Sequence, residues 1–303
     1  MAFDRTLFSD LYPFESHTLE VRGGHNLHYL DEGKGEPIVF VHGNPTWSFF
    51  WRDLVKELRG SYRCIALDHI GCGLSDKPLD ADYEYTLERR IEDLTALLEK
   101  LVPKEKVTLV LHDWGGMIGL GWATRHVERV ARLVLMNTSG FRLPATKPLP
   151  FTLKLIRGVP GFGPLSVRGM NAFAAMATKM AAMRPMQPRV AAAFTAPYDS
   201  WRNRIATLRF VQDIPMRPGD RSWDAVMGVE SRLEALAHLP ILIGWGEKDF
   251  VFDDHFLREW RRRFPAAEVH AYPDAGHYVL EDAGERLIPV VRDFLARPAL
   301  VAK

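Results

Sequence analysis

Five short stretches of the chain are apolar almost without interruption: 37–41, 62–67, 107–111, 130–136 and 239–245. A strand with no polar alternation is buried on both faces, and that is the mark of a parallel sheet. Two earlier segments, 19–22 and 27–31, read as an antiparallel start to the same sheet. Between the runs lie helical patterns. Leu87, Ile91, Leu94, Leu98 and Leu101 follow the rhythm of an amphipathic helix, and Thr86 stands where a capping side chain would. A second helix is expected over 254–264, with Arg261, Arg262 and Arg263 on its solvated face or on a charged partner surface. Strands alternating with helices through right-handed crossovers predict a doubly wound α/β sheet.

Residues 141–215 break this alternation. They are rich in Pro, Met and Ala and read as several helices, a cap inserted between a first part of the core (1–140) and a second (216–303). Met170, Met176, Met180, Met183 and Met186, five of the ten methionines, fall close together there. Taken singly, each most simply fills the cap's own core. Taken together, they could line an apolar, adaptable pocket.

Composition narrows the function classes. Of 303 residues, 47% are apolar and 25% charged, which excludes intrinsic disorder. Lys plus Arg number 39 against 38 Asp plus Glu, a net charge of +1 that removes the electrostatic case for a nucleic-acid binder. Two cysteines, Cys64 and Cys72, cannot build a disulfide framework and fit a reducing compartment. There is no apolar run long enough for a transmembrane helix. Asp4, Asp10 and Glu15 near the start leave no apolar core for a secretory signal. The expectation is a cytoplasmic protein with a sizeable core.

The candidate chemistry lies where the strands end, the place where open α/β sheets bind ligands. His42-Gly43-Asn44-Pro45 follows the first parallel run, Asp68-His69-Ile70-Gly71 the second and His112-Asp113-Trp114-Gly115-Gly116 the third. Asp113 stands at a strand–turn–helix junction, the setting of a nucleophile elbow, with a small residue after it for the tight turn. A carboxylate is ionised near neutrality and needs no base to become a nucleophile. The plainer role for Asp113 is a helix N-cap. Two further groups appear in the chain order nucleophile, acid, His. Asp249 lies just past the run 239–245, with Glu247 as its nearest rival, and His277 lies in a loop before the last helical stretch. Imidazole moves protons near neutral pH, and a buried carboxylate fixes its tautomer. Asn137, at the end of the previous run, is uncharged and cannot be that acid. Backbone N–H groups of Asn44 and Trp114, with a side-chain amide and an indole N–H, are expected to converge on one anionic site.

The motifs HGNPTWS (42–48), DHIGCGLSDKP (68–78), HDWGG (112–116) and DAGHYVLED (274–282) resemble those of the haloalkane dehalogenases, within the α/β-hydrolase superfamily. The likeness covers nearly the whole chain. It implies an α/β-hydrolase fold, with a mostly parallel eight-stranded sheet, flanking helices and an inserted helical cap. It further implies Asp113 as nucleophile, His277 as base, Asp249 as its orienter, and Asn44 with Trp114 as anion-binding donors. One branch of that family carries its acid after the earlier strand. Asn137 occupies that place here, so the resemblance is to the branch using Asp249.

The cap segment APYDSWRNRIATLRFVQDIP (196–215), with AGHYVLED, is similar to the β-lactone decarboxylases of bacterial long-chain olefin biosynthesis. That resemblance implies conversion of a cis-3-alkyl-4-alkyloxetan-2-one, a hydrophobic small molecule, into a cis-alkene and carbon dioxide, without metal or organic cofactor. It also implies assembly with a β-lactone synthetase and a reductase. The alternative is a haloalkane dehalogenase. Epoxide hydrolases of this architecture use two cap tyrosines, and 141–215 holds only Tyr198. Asp113 itself disfavours a serine esterase. A luciferase-like relative shares the same five residues. A non-catalytic binding module would have lost one of them. Arg202 and Arg204 read as structural donors or as groups holding the cap over the cavity.

Overall fold

A computed structural model describes residues 5–297; Asp4 and the outermost residues of the two core parts lie outside the described residues. Eight strands form one sheet: β1 (His17–Val21), β2 (His25–Glu32), β3 (Pro37–Val41), β4 (Arg63–Leu67), β5 (Val107–Asp113), β6 (Val130–Thr138), β7 (Ile241–Gly246) and β8 (Glu268–Tyr272). Their order is β1-β2-β4-β3-β5-β6-β7-β8. The pairs β1/β2 and β2/β4 are antiparallel, and every later pair is parallel. This is the α/β-hydrolase fold. The α-helices are α1 (Arg52–Leu58), α2 (Leu87–Leu101), α3 (Trp114–Ala123), α4 (Phe151–Gly158), α5 (Ala172–Met180), α6 (Pro188–Thr195), α7 (Ile205–Gln212), α8 (Trp223–Arg232), α9 (Asp254–Arg263) and α10 (Val279–Leu295). Thr86 caps α2 by accepting from the Arg89 N–H.

Successive residues of one strand enter opposite cores. Val39, Val41, Leu109 and Leu111 pack on the side of α2 and α3. Ile38, Phe40 and Val110 pack on the side of α1 and α10. Burial on both faces is why these strands read as unbroken apolar runs. β8 escaped that reading because it is the sheet edge. Its residues alternate polar and apolar, and four of five are only half-buried.

The helices α4 to α8, with a π-helix at Pro164–Gly169, all lie between β6 and β7. A separate small core of Leu149, Leu153, Ile156, Val167, Leu208 and Val211 holds several of them together. The methionines do not belong to it. Met170, Met176, Met180 and Met183 are all exposed, so the reading of each as cap core is corrected. Met170, Met176 and Met180 line a cavity instead, and Met186 packs, partly buried, on the α1/α10 side. Met176 and Met180 lie on the side of α5 that borders the cavity, Met170 just before that helix and Met183 in the loop after it.

Leu109 sits on the central strand with no exposure. Leu109→Ala removes packed atoms the neighbours cannot replace. It should lower the unfolding free energy by about 2–5 kcal/mol, read as a lower urea midpoint at unchanged slope.

Candidate active site

β5 delivers Asp113 to a sharp elbow. The residue has φ 53° and ψ −129°, a left-handed conformation that a non-glycine residue rarely adopts. Asp113 makes no side-chain cap bond to α3, so the N-cap reading is set aside. Its carboxylate turns back over the loop that follows β3. There the Asn44 backbone N–H donates to Asp113 Oδ1 at 2.6 Å. The approach requires Gly43, because a Cβ at that position would collide with the Asp113 side chain. Gly115 serves the elbow in the same way against the backbone of Val41 and His42.

On the far side of the carboxylate, His277 Nε2 lies 3.6 Å from Asp113 Oδ2. His277 Nδ1 is 2.7 Å from Asp249 Oδ2. The other Asp249 oxygen accepts from the N–H groups of Val251 (2.7 Å) and Phe252 (3.0 Å). Glu247, the rival carboxylate, is exposed to solvent. Asn137 donates from its amide to Asp249 Oδ2 (3.0 Å) and to the Gly246 carbonyl (2.9 Å), and accepts from the Gly246 N–H (2.8 Å). Sequence reasoning dismissed Asn137 as an acid. Its place is to hold the acid still.

The ring of His112 stacks on Phe50 and its Nε2 donates to the His277 carbonyl at 2.9 Å. Burial drives the His112 pKa well below the ordinary value, so the ring is neutral. Asp282 lies within the DAGHYVLED motif, and its pattern there signals no role. Buried at the start of α10, it accepts from the N–H groups of Gly276 (2.8 Å), Met183 (2.8 Å) and Arg184 (2.8 Å). It thereby ties the His277 loop to the chain after α5.

Burial raises the Asp113 carboxyl above its ordinary value, and the charge of His277 and the N–H groups of Asn44 and Trp114 oppose that rise. Burial alone would lower His277. The charge and hydrogen bond of Asp249, with the charge of Asp113, outweigh it and raise the imidazole above its usual value. Both groups therefore hold a proton more readily than they would in water, Asp113 because it is buried and His277 because two carboxylates face it.

A cavity of about 470 Å³ opens onto these groups. Asn44, Asp113, Trp114 and His277 line it together, and the rest is mostly apolar, including Leu153, Phe173, Val211 and Phe252. The Asn44 amide donates to the Thr207 carbonyl on α7 at 3.1 Å. The Trp114 ring rests against Phe210 with centroids 5.5 Å apart. Tyr198 is wholly buried beneath, its hydroxyl on the Thr46 carbonyl at 3.1 Å, and does not face the cavity. All five residues singled out in the sequence thus meet at one place. Such a site can attack an electrophilic carbon with a carboxylate and receive an anion on N–H donors, in largely apolar surroundings.

A family model described as the alpha/beta hydrolase fold matches residues 36–169 and 182–284. The chain is 51% identical over 297 residues to a cis-3-alkyl-4-alkyloxetan-2-one decarboxylase of Shewanella oneidensis, covering 98% of this chain and 93% of that one. It is 47% identical to a protein of the same name from Xanthomonas campestris, covering 95% and 98%. A haloalkane dehalogenase of Mycobacterium marinum is 33% identical, covering 91% and 92%. Among solved structures, haloalkane dehalogenase DatA of Agrobacterium tumefaciens superposes with a TM-score of 0.82 at 28% identity, covering 93% and 96%.

Asp249→Asn removes the main group that raises the His277 pKa and leaves burial to lower it. The imidazole should then titrate at lower pH than in the native protein, followed through its C2 proton by NMR. An unchanged midpoint would show that Asp249 does not govern the charge of His277.

Proposed function

The chain belongs to the alpha/beta hydrolase fold family, and we propose that on this fold it is a cis-3-alkyl-4-alkyloxetan-2-one decarboxylase with Asp113 as its nucleophile. Two relatives at 51% and 47% identity over nearly the full length carry that name, whereas the haloalkane dehalogenase relative stands at 33%. The observation that carries the reading is the Asp113 carboxylate at the polar end of an apolar cavity, facing His277. Two alkyl chains find apolar walls there, and the lactone ring finds the N–H donors. Fold alone would not choose among the family's chemistries.

The hydrogen bonds of Asp113 support one point of attack over the other. An acyl route would need backbone donors free to receive an oxyanion on the substrate carbonyl. The Asn44 N–H is already engaged by Asp113 Oδ1. The free oxygen, Oδ2, is the one facing His277. We therefore assign attack by Asp113 Oδ2 to the ring carbon bearing the lactone oxygen. The carbon–oxygen bond of the ring breaks, strain assists, and a carboxylate departs toward the side-chain N–H groups of Asn44 and Trp114. In the second step the bond to that carboxylate breaks. Its electron pair forms the carbon–carbon double bond, carbon dioxide leaves, and the bond to Asp113 opens to restore the carboxylate. Inversion in the first step followed by anti cleavage in the second keeps the two alkyl groups cis. No proton is transferred. His277, whose imidazole is raised above its usual value by Asp249 and Asp113, faces Asp113 as the carboxylate is released.

The substrate of this reaction is the product of a β-lactone synthetase. Assembly with that synthetase and with a reductase, in the cytoplasm, belongs to the same proposal. Among the described residues no helix is long and apolar enough to cross a membrane.

Purified protein given a cis-dialkyl β-lactone should release cis-alkene and carbon dioxide, read by gas chromatography. In H₂¹⁸O the peptide bearing Asp113 should stay unlabelled, because no ester is hydrolysed. Bromide release from 1-bromoalkanes, with no alkene from any cis-β-lactone of short or long chain, would instead identify a haloalkane dehalogenase. Asp113→Asn should remove almost all turnover while the circular dichroism stays native. Activity above a tenth of native would overturn the nucleophile.

Trp114→Phe or Asn44→Ala takes away a donor that meets charge developing in the transition state. Each should lower kcat by about 100-fold with a smaller change in KM. A change confined to KM would mean that the side chain serves substrate packing alone.

A further inference from the structure

The charge of the chain is unevenly placed. Residues 141–215 hold eleven Lys and Arg against Asp199 and Asp213 and no Glu, although the whole chain nets only +1. Several of these cations tie the cap to its surroundings. Examples are Lys147 with Asp253 (2.5 Å), Arg157 with Asp220 (2.6 Å), Arg189 with Asp10 (2.6 Å) and Arg209 with Asp80 (2.5 Å). Others have no such purpose. Lys154, Lys179 and Arg202 are exposed and make no ion pair among the described residues, while Arg168 and Arg204 bond only to backbone carbonyls.

The same surface is unusually apolar. Phe151 is 72% exposed, Met170 65% and Leu165 63%, with Met176, Met180 and Trp201 also exposed. Met170, Met176 and Met180 line the active-site cavity as well, so they mark its mouth. Cations and apolar groups interleave: Phe151 and Lys154 are a helical turn apart on α4, and Met176, Lys179 and Met180 share a face of α5. The Arg168 guanidinium lies 4.6 Å over the Trp201 ring, beside Leu165. Large apolar side chains left exposed around one opening are the kind of surface that marks an interaction site.

We propose that this face of the cap docks on the surface of an anionic lipid bilayer, with the cavity mouth turned toward the lipid. Long cationic side chains around large apolar ones are what a bilayer interface binds: the charges meet lipid headgroups and the apolar groups enter the acyl boundary. An acidic protein would match the charge, but a rigid partner seated on Met170, Met176 and Met180 would close the mouth, whereas a fluid lipid surface extends the cavity. Delivery of a dialkyl substrate from lipid rests on the decarboxylase reading; the docking itself rests on the surface.

Flotation with vesicles tests it without any turnover. The full chain should float with vesicles of phosphatidylcholine plus phosphatidylglycerol at about 50 mM NaCl, and far less at about 500 mM, where headgroup charge is screened. Phosphatidylcholine alone should retain little. Lys154→Glu combined with Lys179→Glu should weaken partition by about tenfold or more. Phe151→Ser combined with Leu165→Ser should weaken it at both salt concentrations. All four positions lie outside the cavity lining and are exposed, so alkene formation from a short, water-soluble β-lactone should be unaffected. No flotation with anionic vesicles, or flotation that neither pair of substitutions lowers, would overturn the proposal. The first result would leave a protein partner as the occupant of this face.

Discussion

The site depends on keeping an ionised carboxylate inside the protein. Asp113 is only 7% exposed, and burial by itself pushes its carboxyl toward the neutral form. A buried charge persists only if it is hydrogen-bonded and paired. Around Asp113 this shapes the backbone on both sides. The elbow bends to φ 53°, position 43 carries no side chain, and the Asn44 N–H comes to 2.6 Å. The partner across from it is His277, which is itself buried and whose imidazole Asp249 and Asp113 raise against the effect of burial. Asp249 is in turn held by Val251, Phe252 and Asn137. One charge at the elbow therefore organises the ends of β3, β5, β6 and β7.

The cap is coupled to that chain of bonds at several points. The Tyr278 N–H donates to the Ala181 carbonyl (2.7 Å), and Asp282 gathers Gly276 with Met183 and Arg184. The loop with Asn44 is gripped from above by Thr207, and Trp47 donates to the Ala193 carbonyl at 3.1 Å. Below it, buried Asp68 accepts from His28, from the Ser48 N–H and from the Leu74 N–H. The donors around Asp113 are thus tied by hydrogen bonds to the segments that carry the apolar walls of the cavity. In the decarboxylase reading, the reaction of that carboxylate has no place for water.

A haloalkane dehalogenase and a β-lactone decarboxylase ask nearly the same first step of this constellation. In the route proposed above, each begins with a carboxylate displacing an anion from saturated carbon toward the N–H donors. They part afterwards: the halide departs for good, while the lactone carboxylate stays attached and can be lost as carbon dioxide. His277 must activate water in the first case and need only carry charge in the second.

Much of this was legible in the residues. Near-continuous apolar runs revealed the parallel strands because burial on both faces leaves no polar alternation. Motifs at strand ends exposed Asp113, Asn44 and Trp114, and chain order pointed to Asp249 and His277. What the sequence could not supply were relations across space. β8 is an edge strand with a mixed pattern, so no local signal announces it. Met170, Met176 and Met180 carry the composition of a core, but only the packing around α5 shows that they face the cavity mouth and solvent. Asn137 and Asp282 are ordinary polar residues until the fold brings them to Asp249, 112 positions away, and to Met183, 99 positions away. Local sequence determines which groups can carry charge and where strands end. The partners that keep a buried charge ionised come from distant segments, and only the tertiary structure decides which of them arrive.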